Sequence, residues 1–276
     1  MSTVSSIGIE QLPTREQVLP QARRENFTVA SAVLGRRRAR HLIAIYGFAR
    51  LVDDVGDESS GDRGALLDLV DQELGRVFSA GDEEPRHPLM RDLRRTVREC
   101  SLPRAPFERL IQANRMDQVV TRYETFSQLL GYCQLSAAPV GELVLGVFGA
   151  ATPERVALSD RVCAGLQVVE HLQDIAEDHA RGRIYIPHED LLRCGCDDGD
   201  LSGEPSPALQ ALIAFESGRA RELLRAGGAL ARTLAPAPRL AVAGFVAGGL
   251  QALDVLEGRQ RRLGRTRQLL RTAAGL

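Results

Sequence analysis

Lysine and tryptophan are absent from this chain of 276 residues, and cysteine and methionine are scarce. All 35 basic side chains are therefore arginine, and they face 36 acidic residues, which leaves a net charge of −1 at pH 7. A nearly neutral chain has no overall field to attract nucleic acid, so we expect no nucleic-acid partner. Arginine suits bidentate binding of phosphate, but most of these arginines are expected to form solvated helix faces.

The 5 cysteines are too few and too scattered for a disulfide framework, which fits a reducing cytoplasm. Long hydrophobic runs are missing as well. The longest, Leu240 to Leu250, is shorter than the roughly 20 residues that span a bilayer, and no basic-then-apolar leader opens the chain. We expect a cytoplasmic protein. The arginine-rich end at 259–271 leaves open a peripheral contact with anionic lipid at the inner face of the membrane.

Alternation of apolar and polar residues with a period of two is nearly absent, so no sheet is expected. Apolar residues recur at helical spacing instead, and no internal linker is long enough to separate domains. The sequence predicts a flexible arm at residues 1–13, then one all-α domain of eight to ten helices over 14–276. A short helix begins at the capping box Thr14–Gln17. The main helices are predicted at 36–57, 64–79, 88–100, 104–121, 125–149, 153–180, 207–233 and 237–263.

A polar stripe runs along the predicted helix at 36–57. It consists of residues at offsets 0, 4, 7 and 11, namely Tyr46, Arg50, Asp53 and Asp57. At about 100° per residue these positions fall within roughly 60° of one another. Apolar residues flank the stripe, so both faces of this helix are expected to be buried.

A second stripe with the same offsets lies on the predicted helix at 153–180. Its members are Gln167, His171 (or Glu170), Asp174 and Asp178. Apolar residues surround it too, and Arg183 and Tyr185 follow where the helix ends in GRIYIP. Buried carboxylates cost several kcal/mol unless they are paired or bind a metal. Facing each other, the two stripes would hold Mg²⁺ ions together with the oxygens of a diphosphate. The alternative is that each stripe is an exposed acidic face paired with neighbouring arginines.

These segments resemble a known family. AIYGFARLVDDVGDE at 44–58 and LQVVEHLQDIAEDHARGRIYIP at 166–187 are similar to the two aspartate-rich motifs of the squalene and phytoene synthases. The resemblance extends from about Arg24 to Glu257. Within it, the runs at 25–27 and 136–141 resemble the hydroxysqualene synthases of bacterial hopanoid biosynthesis. The second motif departs from the family at Glu170, where Asn is frequent, and at Gln173, where some members carry Arg.

The resemblance implies an isoprenoid-synthase-type helical bundle around a central cavity, and it assigns roles to particular residues. Two or three Mg²⁺ ions would bridge the diphosphate to Asp53, Asp57, Asp174 and Asp178. Diphosphate contacts fall to Arg50 and Arg183, and further substrate contacts to Gln167 and to the aromatic face of Phe27. The tyrosines that would line the reaction centre are Tyr46 and Tyr132.

The implied reaction converts presqualene diphosphate and water to hydroxysqualene and diphosphate, without NADPH. Such a carbon–oxygen lyase would receive its substrate from a presqualene diphosphate synthase. The alternative within the family is a head-to-head prenyl transferase that makes presqualene diphosphate, squalene or phytoene. Two other classes of protein fit the sequence less well. A di-iron bundle should show Glu-x-x-His pairs on two helices, and no such set is found, whereas a helical interaction protein would not need both stripes.

Overall fold

The computed structural model describes residues 8–24, 35–81, 83–202 and 206–259. Over these ranges the chain forms thirteen α-helices and two 3-10 helices. Extended pairing within them is limited to one isolated parallel bridge between Arg122 and Ile184. The predicted all-α class is confirmed.

The α-helices are, in chain order, α1 (Arg15–Arg24), α2 (Arg36–Asp57), α3 (Arg63–Phe78), α4 (Pro88–Cys100), α5 (Ala105–Asp117), α6 (Phe126–Ser136), α7 (Ala138–Val147), α8 (Pro153–Gln173), α9 (Ile175–Ala180), α10 (His188–Cys194), α11 (Pro207–Gly227), α12 (Leu230–Thr233) and α13 (Pro236–Leu256). The 3-10 helices are Ile9–Gln11 and Asp198–Ser202.

Short polar side chains begin several of these helices. The Asp62 carboxylate accepts a hydrogen bond from the third backbone amide of α3, and Thr152 and Ser206 do the same for α8 and α11. Thr125 and Gln128 form a reciprocal capping box at the start of α6. Each cap satisfies a backbone donor that has no partner within the helix, which fixes where the helix begins.

The helix bounds at 36–57 and 88–100 agree with the sequence prediction, whereas three long predicted helices are interrupted. The segment 207–233 divides between α11 and α12, with Gly228 and Ala229 between them. The segment 125–149 divides between α6 and α7 just before Pro139, whose ring cannot continue an uninterrupted helix. The segment 153–180 is interrupted at Asp174, where φ is −107° and ψ is 15°. Asp178 still donates its backbone N–H to the carbonyl of Asp174 at 2.8 Å, so the interruption spans a single residue.

The apolar interior consists of two large clusters and a small third cluster, which is formed by Leu145, Ala150, Leu230 and Leu234. The first joins α2, α3, α4, α5 and α7, and at its centre the rings of Phe48 and Phe107 meet edge to face at 5.2 Å. The second joins α6, α8, α11 and α13. Here α8 and α11 approach closely at Gly227, where a Cβ would lie 2.7 Å from the backbone nitrogen of Val162. The first stripe therefore belongs to one cluster and the second stripe to the other.

The sequence predicts a flexible arm at residues 1–13, of which residues 1–7 lie outside the described residues. Its described end forms the 3-10 helix Ile9–Gln11, and Leu12 packs into the first cluster with 3% of its surface exposed. This end differs from the loose arm expected, because Leu12 adds its side chain to the core.

Two segments are long and apolar enough to cross a membrane by length and composition, Phe126–Val147 and Pro236–Leu256. The sequence expectation that no segment would reach this length is wrong in that respect. The first comprises α6 and α7, and the second is α13. The first segment packs on both large clusters, through α7 and α6. The second packs on the second cluster through Ala252 and Leu253, with 17% of its most apolar window buried.

Candidate active site

An ion pair joins the two aspartate-rich segments. The Nη1 atom of Arg183, just beyond α9, lies 2.7 Å from the Oδ1 atom of Asp57, in the last turn of α2. Arg183 is half-buried, and 39% of the Asp57 side chain is exposed. The two stripes are therefore adjacent in space, although they belong to different apolar clusters.

Asp53 is held by a side chain from α5. The Asn114 amide donates a hydrogen bond to the Asp53 carboxylate at 3.1 Å. This contact depends on Gly56, because a Cβ at that position would lie 2.1 Å from the Asn114 side-chain oxygen. Gln118 also donates to the Gly56 carbonyl at 3.0 Å. Gly56 thus allows α5 to approach α2 and to present Asn114 to the first motif.

Arg50 contacts two carboxylates. One belongs to Asp54 on the same helix, and the other belongs to Glu58 just beyond the C-terminal end of that helix. The Nε atom of Arg50 lies 2.7 Å from Asp54 Oδ1, and its Nη2 atom lies 3.0 Å from Glu58 Oε1. Burial lowers the pKa of Arg50, but the nearby carboxylates, Asp54 foremost, raise it overall. Arg50 therefore carries a permanent positive charge beside the first motif.

The carboxylates of the first motif are poorly hydrated. The pKa values of Asp53 and Asp54 are raised to about 6, mainly because the surrounding protein removes water from the charged forms. Asp54 is buried, whereas Asp53 is exposed at the protein surface even though neighbouring protein surrounds its carboxylate. Asp53 is thus the more accessible of the two to a ligand.

The second motif continues this accumulation of negative charge. Asp174 and Asp178 are both half-buried on either side of the start of α9. Burial, followed by the charge of Asp174, raises the pKa of Asp178 to about 7, although Arg181 and Arg183 oppose the rise. A bound cation would relieve this repulsion.

His171 is buried among the residues of the second stripe and stacks on Tyr185. The two ring centroids are 3.9 Å apart, and the ring planes differ by 13°. Its Nε2 atom lies 3.4 Å from the Gln167 amide nitrogen, and its Nδ1 atom lies 4.0 Å from Asp178 Oδ2. Burial lowers the pKa of His171 to about 3, so the ring is neutral at physiological pH.

Three tyrosines and one carboxylate lie next to His171. Tyr132 donates its hydroxyl to Asp117 Oδ2 at 2.8 Å, and Tyr185 donates to Asp117 Oδ1 at 3.2 Å. The ring of Tyr123 packs 5.5 Å from that of Tyr132 and 6.0 Å from that of Tyr185. Burial raises the pKa of Asp117 to about 6, even though both hydroxyls and Arg183 favour its charged form.

Backbone hydrogen bonds fix this aromatic group in place. Ile184 donates to the carbonyl of Thr121 at 2.8 Å, and His188 donates to that of Tyr123 at 2.9 Å. The segment after α9 is thereby paired with the segment after α5. Tyr185, between the two bonded positions, is held against Tyr123 and Tyr132.

The other residues expected from sequence have different surroundings. Tyr46 is 1% exposed and belongs to the first cluster. Its phenol contributes to raising the pKa of Arg50, so the two side chains interact electrostatically. Gln167 is half-buried beside His171. Phe27 lies outside the described residues.

Sequence reasoning missed Asn114 and Asp117. A signal for Asn114 existed, because it continues the apolar spacing of Phe107, Leu110 and Ile111 and thus occupies a core position of α5. A polar residue at a core position requires a buried partner. Asp117 follows it by three residues, on the same side of the helix.

Within the described residues, no three His, Cys, Asp or Glu side chains form a group that could hold a metal ion. The donor set nevertheless fits Mg²⁺, which prefers a few carboxylates completed by phosphate oxygens and water. The raised pKa values of Asp53 and Asp178 mark carboxylates that a cation would stabilise. The magnesium expectation stays a prediction.

The chain is similar to known proteins in both sequence and structure. The model of the squalene/phytoene synthase family matches residues 21–273. A hydroxysqualene synthase of Rhodopseudomonas palustris is 35% identical over 211 residues, which are 76% of this chain and 71% of that protein. A phytoene synthase of Mycobacterium bovis is 29% identical over 220 residues, covering 78% and 71% of the two chains.

The crystal structure of squalene synthase HpnC from Alicyclobacillus acidocaldarius superposes with a TM-score of 0.80 at 38% identity. The superposition covers 92% of this chain and 96% of that one. The helical bundle is therefore of the isoprenoid-synthase type, as the sequence resemblance implied.

Proposed function

Because this chain belongs to the squalene/phytoene synthase family, we propose that it converts presqualene diphosphate and water to hydroxysqualene and diphosphate. The names of its relatives support a prenyl-diphosphate-processing enzyme. The observation that supports this particular reaction is the ion pair between Arg183 and Asp57, which brings the two acidic motifs together. The tyrosines beside them, Tyr132 foremost, offer a hydroxyl oxygen to a water molecule.

The diphosphate would bind where the two motifs meet. Arg50 and Arg183 supply charge-assisted hydrogen bonds to its oxygens. Two or three Mg²⁺ ions, held by Asp53, Asp57, Asp174 and Asp178 and by the diphosphate itself, would supply the positive charge that stabilises the leaving group. The two arginines also neutralise part of the same acidic cluster, through Asp57 and Asp54.

The aromatic group next to the motifs suits a carbocation. The faces of Tyr123, Tyr132 and Tyr185 offer negative potential to a positive centre. His171 adds no repulsion, because burial lowers its pKa to about 3 and keeps the ring uncharged. A cation that forms beside these rings is therefore stabilised without a nucleophilic side chain.

Tyr132 is the residue we assign to holding the attacking water. Its hydroxyl hydrogen is directed to Asp117, which leaves the phenol oxygen as an acceptor for a water hydrogen. Gln134 is exposed, and Ser136 donates its hydroxyl to the Tyr132 carbonyl at 3.3 Å. Neither is as well placed as Tyr132.

Head-to-head prenyl transfer is the second candidate function. It is favoured by the 29% identity to a phytoene synthase and by the solved relative that is named a squalene synthase. Such an enzyme would condense two prenyl diphosphates, and a squalene synthase would also need a hydride donor. We propose that NADPH has no role in this protein.

The deciding experiment incubates the purified protein with presqualene diphosphate and Mg²⁺ in ¹⁸O-labelled water, with and without NADPH. We expect a labelled triterpene alcohol in equal yield in both cases. Squalene formed only with NADPH would instead support a squalene synthase. Turnover restricted to farnesyl or geranylgeranyl diphosphate would support a prenyl transferase.

We further propose peripheral contact with the inner face of the cytoplasmic membrane, where a presqualene diphosphate synthase would deliver the substrate. The helix α13 supports this proposal, because only 17% of its most apolar window is buried. A high-salt wash of isolated membranes should release the protein. Release by detergent alone would point to a spanning helix instead.

A further inference from the structure

Asp117 stands outside both aspartate-rich motifs, yet it is tied to the proposed reaction centre. It is the last residue of α5, and its two carboxylate oxygens accept hydrogen bonds from different tyrosines. Tyr132 reaches it from α6, and Tyr185 reaches it from the segment after α9. Three separate parts of the chain thus converge on one half-buried carboxylate.

This arrangement fixes the direction in which the Tyr132 hydroxyl donates its hydrogen bond. A phenol has one hydrogen to donate, and Tyr132 donates it to Asp117 at 2.8 Å. The phenol oxygen is then an acceptor towards any other group. A water bound there must donate a hydrogen to Tyr132, which leaves a lone pair of the water free to attack a carbocation.

Capture of that water leaves a proton to be removed. The water lone pair forms the new C–O bond, and the product is at first a protonated alcohol. We propose that Asp117 is the terminal acceptor of this proton, acting through Tyr132. The oxonium proton moves to the Tyr132 oxygen while the Tyr132 hydroxyl proton moves to Asp117 Oδ2. The alcohol is then neutral, Tyr132 is again a phenol, and Asp117 is a carboxylic acid that later loses its proton to solvent.

The surroundings of Tyr132 and Asp117 favour proton transfer from the first to the second. Burial raises the pKa of Tyr132 well above its usual range, so the phenol does not serve as a base by itself. The Asp117 carboxylate is held in position from its other side by Tyr185. Arg183, whose charge favours the ionised form of Asp117, is engaged with Asp57. A relay of two hydrogen-bonded groups is thereby assembled before substrate binds.

The inference rests on the proposed water capture, and the test separates the two. Wild type and Asp117→Asn are incubated with presqualene diphosphate and Mg²⁺ in ¹⁸O-labelled water, and diphosphate release and labelled alcohol are measured together. Asn keeps an acceptor oxygen but cannot take the proton. We expect the yield of alcohol per diphosphate released to fall at least about tenfold, since proton transfer by a positioned group contributes at least that much. Proton-loss hydrocarbons should make up the difference.

Two further variants test whether the effect is specific to the carboxylate of Asp117. Asp117→Glu should recover part of the alcohol yield, because it restores a carboxylate. Asp160→Asn, which alters another half-buried carboxyl whose pKa is raised by burial, should leave the yield within about twofold of wild type. Circular dichroism checks that every variant is folded.

An unchanged ratio of alcohol to diphosphate in Asp117→Asn would overturn the relay, and would leave the diphosphate itself as the proton acceptor. Equal loss of both products, with no recovery in Asp117→Glu, would reduce Asp117 to a structural role and would also overturn it. If wild type forms no labelled alcohol, the proposed function is wrong, and the relay to that water is wrong with it.

Discussion

Arg183 and Asp57 form an ion pair with 2.7 Å between Nη1 and Oδ1, and this pair connects the two apolar clusters at the candidate site. The guanidinium is half-buried, and burial lowers its pKa, but the neighbouring tyrosine and acidic groups raise it overall. It therefore stays charged under all conditions of interest and is available to a diphosphate that displaces Asp57.

Replacing Arg183 should cost activity rather than folding. We expect Arg183→Gln to lower the rate of diphosphate release about a hundredfold, the usual effect of removing one donor to a developing anion. Steady-state release from presqualene diphosphate measures it. The control is Arg181→Gln, since Arg181 is exposed and pairs with Glu177 at 3.0 Å on the protein surface. Equal losses in the two variants would refute a specific role for Arg183.

Neutralising either acidic motif should abolish metal-dependent turnover. We expect Asp53→Asn and Asp174→Asn each to remove Mg²⁺-dependent diphosphate release while the helical circular dichroism spectrum is retained. Because burial raises the pKa of Asp53 to about 6, its charge destabilises the metal-free fold at neutral pH. The melting temperature of Asp53→Asn without metal should therefore equal or exceed that of wild type. Normal turnover in either variant, or in wild type with EDTA, would show that the metal assignment is wrong.

The close approach of α2 and α5 at Gly56 gives a steric test. A Cβ there would lie 2.1 Å from the Asn114 side-chain oxygen, so Gly56→Ala should displace Asn114 from Asp53. We expect a loss of about 1–3 kcal/mol in the free energy of unfolding, together with reduced turnover. Chemical denaturation measures the first effect.

The matched control is Gly75→Ala in α3, where no atom lies within 4 Å of the added Cβ. Alanine there should stabilise the protein by about 0.5–1 kcal/mol, because glycine is the poorer helix former. If the two variants unfold alike, the crowding at Gly56 is not decisive.

A second buried acidic pair predicts a pH dependence away from the site. Glu216 and Asp190 are buried and share Arg219, whose Nη1 atom lies 3.2 Å from Glu216 Oε1. Burial, then the hydrogen bond to Asp190, raises the pKa of Glu216 above its ordinary value of 4.5. A carboxyl whose pKa is higher in the folded state stabilises the fold fully below its unfolded pKa. That stability is lost as the pH rises through the folded pKa.

Glu216→Gln should remove this loss, since the amide reproduces the protonated carboxyl. We expect the variant to match wild type at mildly acidic pH and to be more stable at alkaline pH. Melting temperatures across that range provide the measurement. Glu222→Gln, at an exposed position of the same helix, should follow the wild-type profile. Parallel profiles for wild type and Glu216→Gln would contradict the assignment.

The helix α2 was predictable to the residue, because its apolar spacing is continuous and no proline interrupts it. The interruption at Asp174 was not, since the sequence there keeps its helical periodicity and only the backbone angles change. The pairing of Arg183 with Asp57 depends on how two clusters pack, and a single sequence carries no signal for that. Asp117 escaped notice for the same reason, because its partners come from two other segments.

The division of the interior into two clusters also affects how the molecule unfolds. The helices α7 and α8 pack against each other across this division, as do α5 and α6, and the ion pair of the two motifs crosses it as well. Local opening of the short and largely exposed α9 at this boundary exposes less apolar surface than the melting of either cluster, so its amides should exchange with solvent first. A diphosphate that touches both sides would bind only the closed arrangement and would therefore link the two clusters into one cooperative unit. Substrate thus serves as part of the structure, because it stabilises the end of the boundary that carries the two acidic motifs.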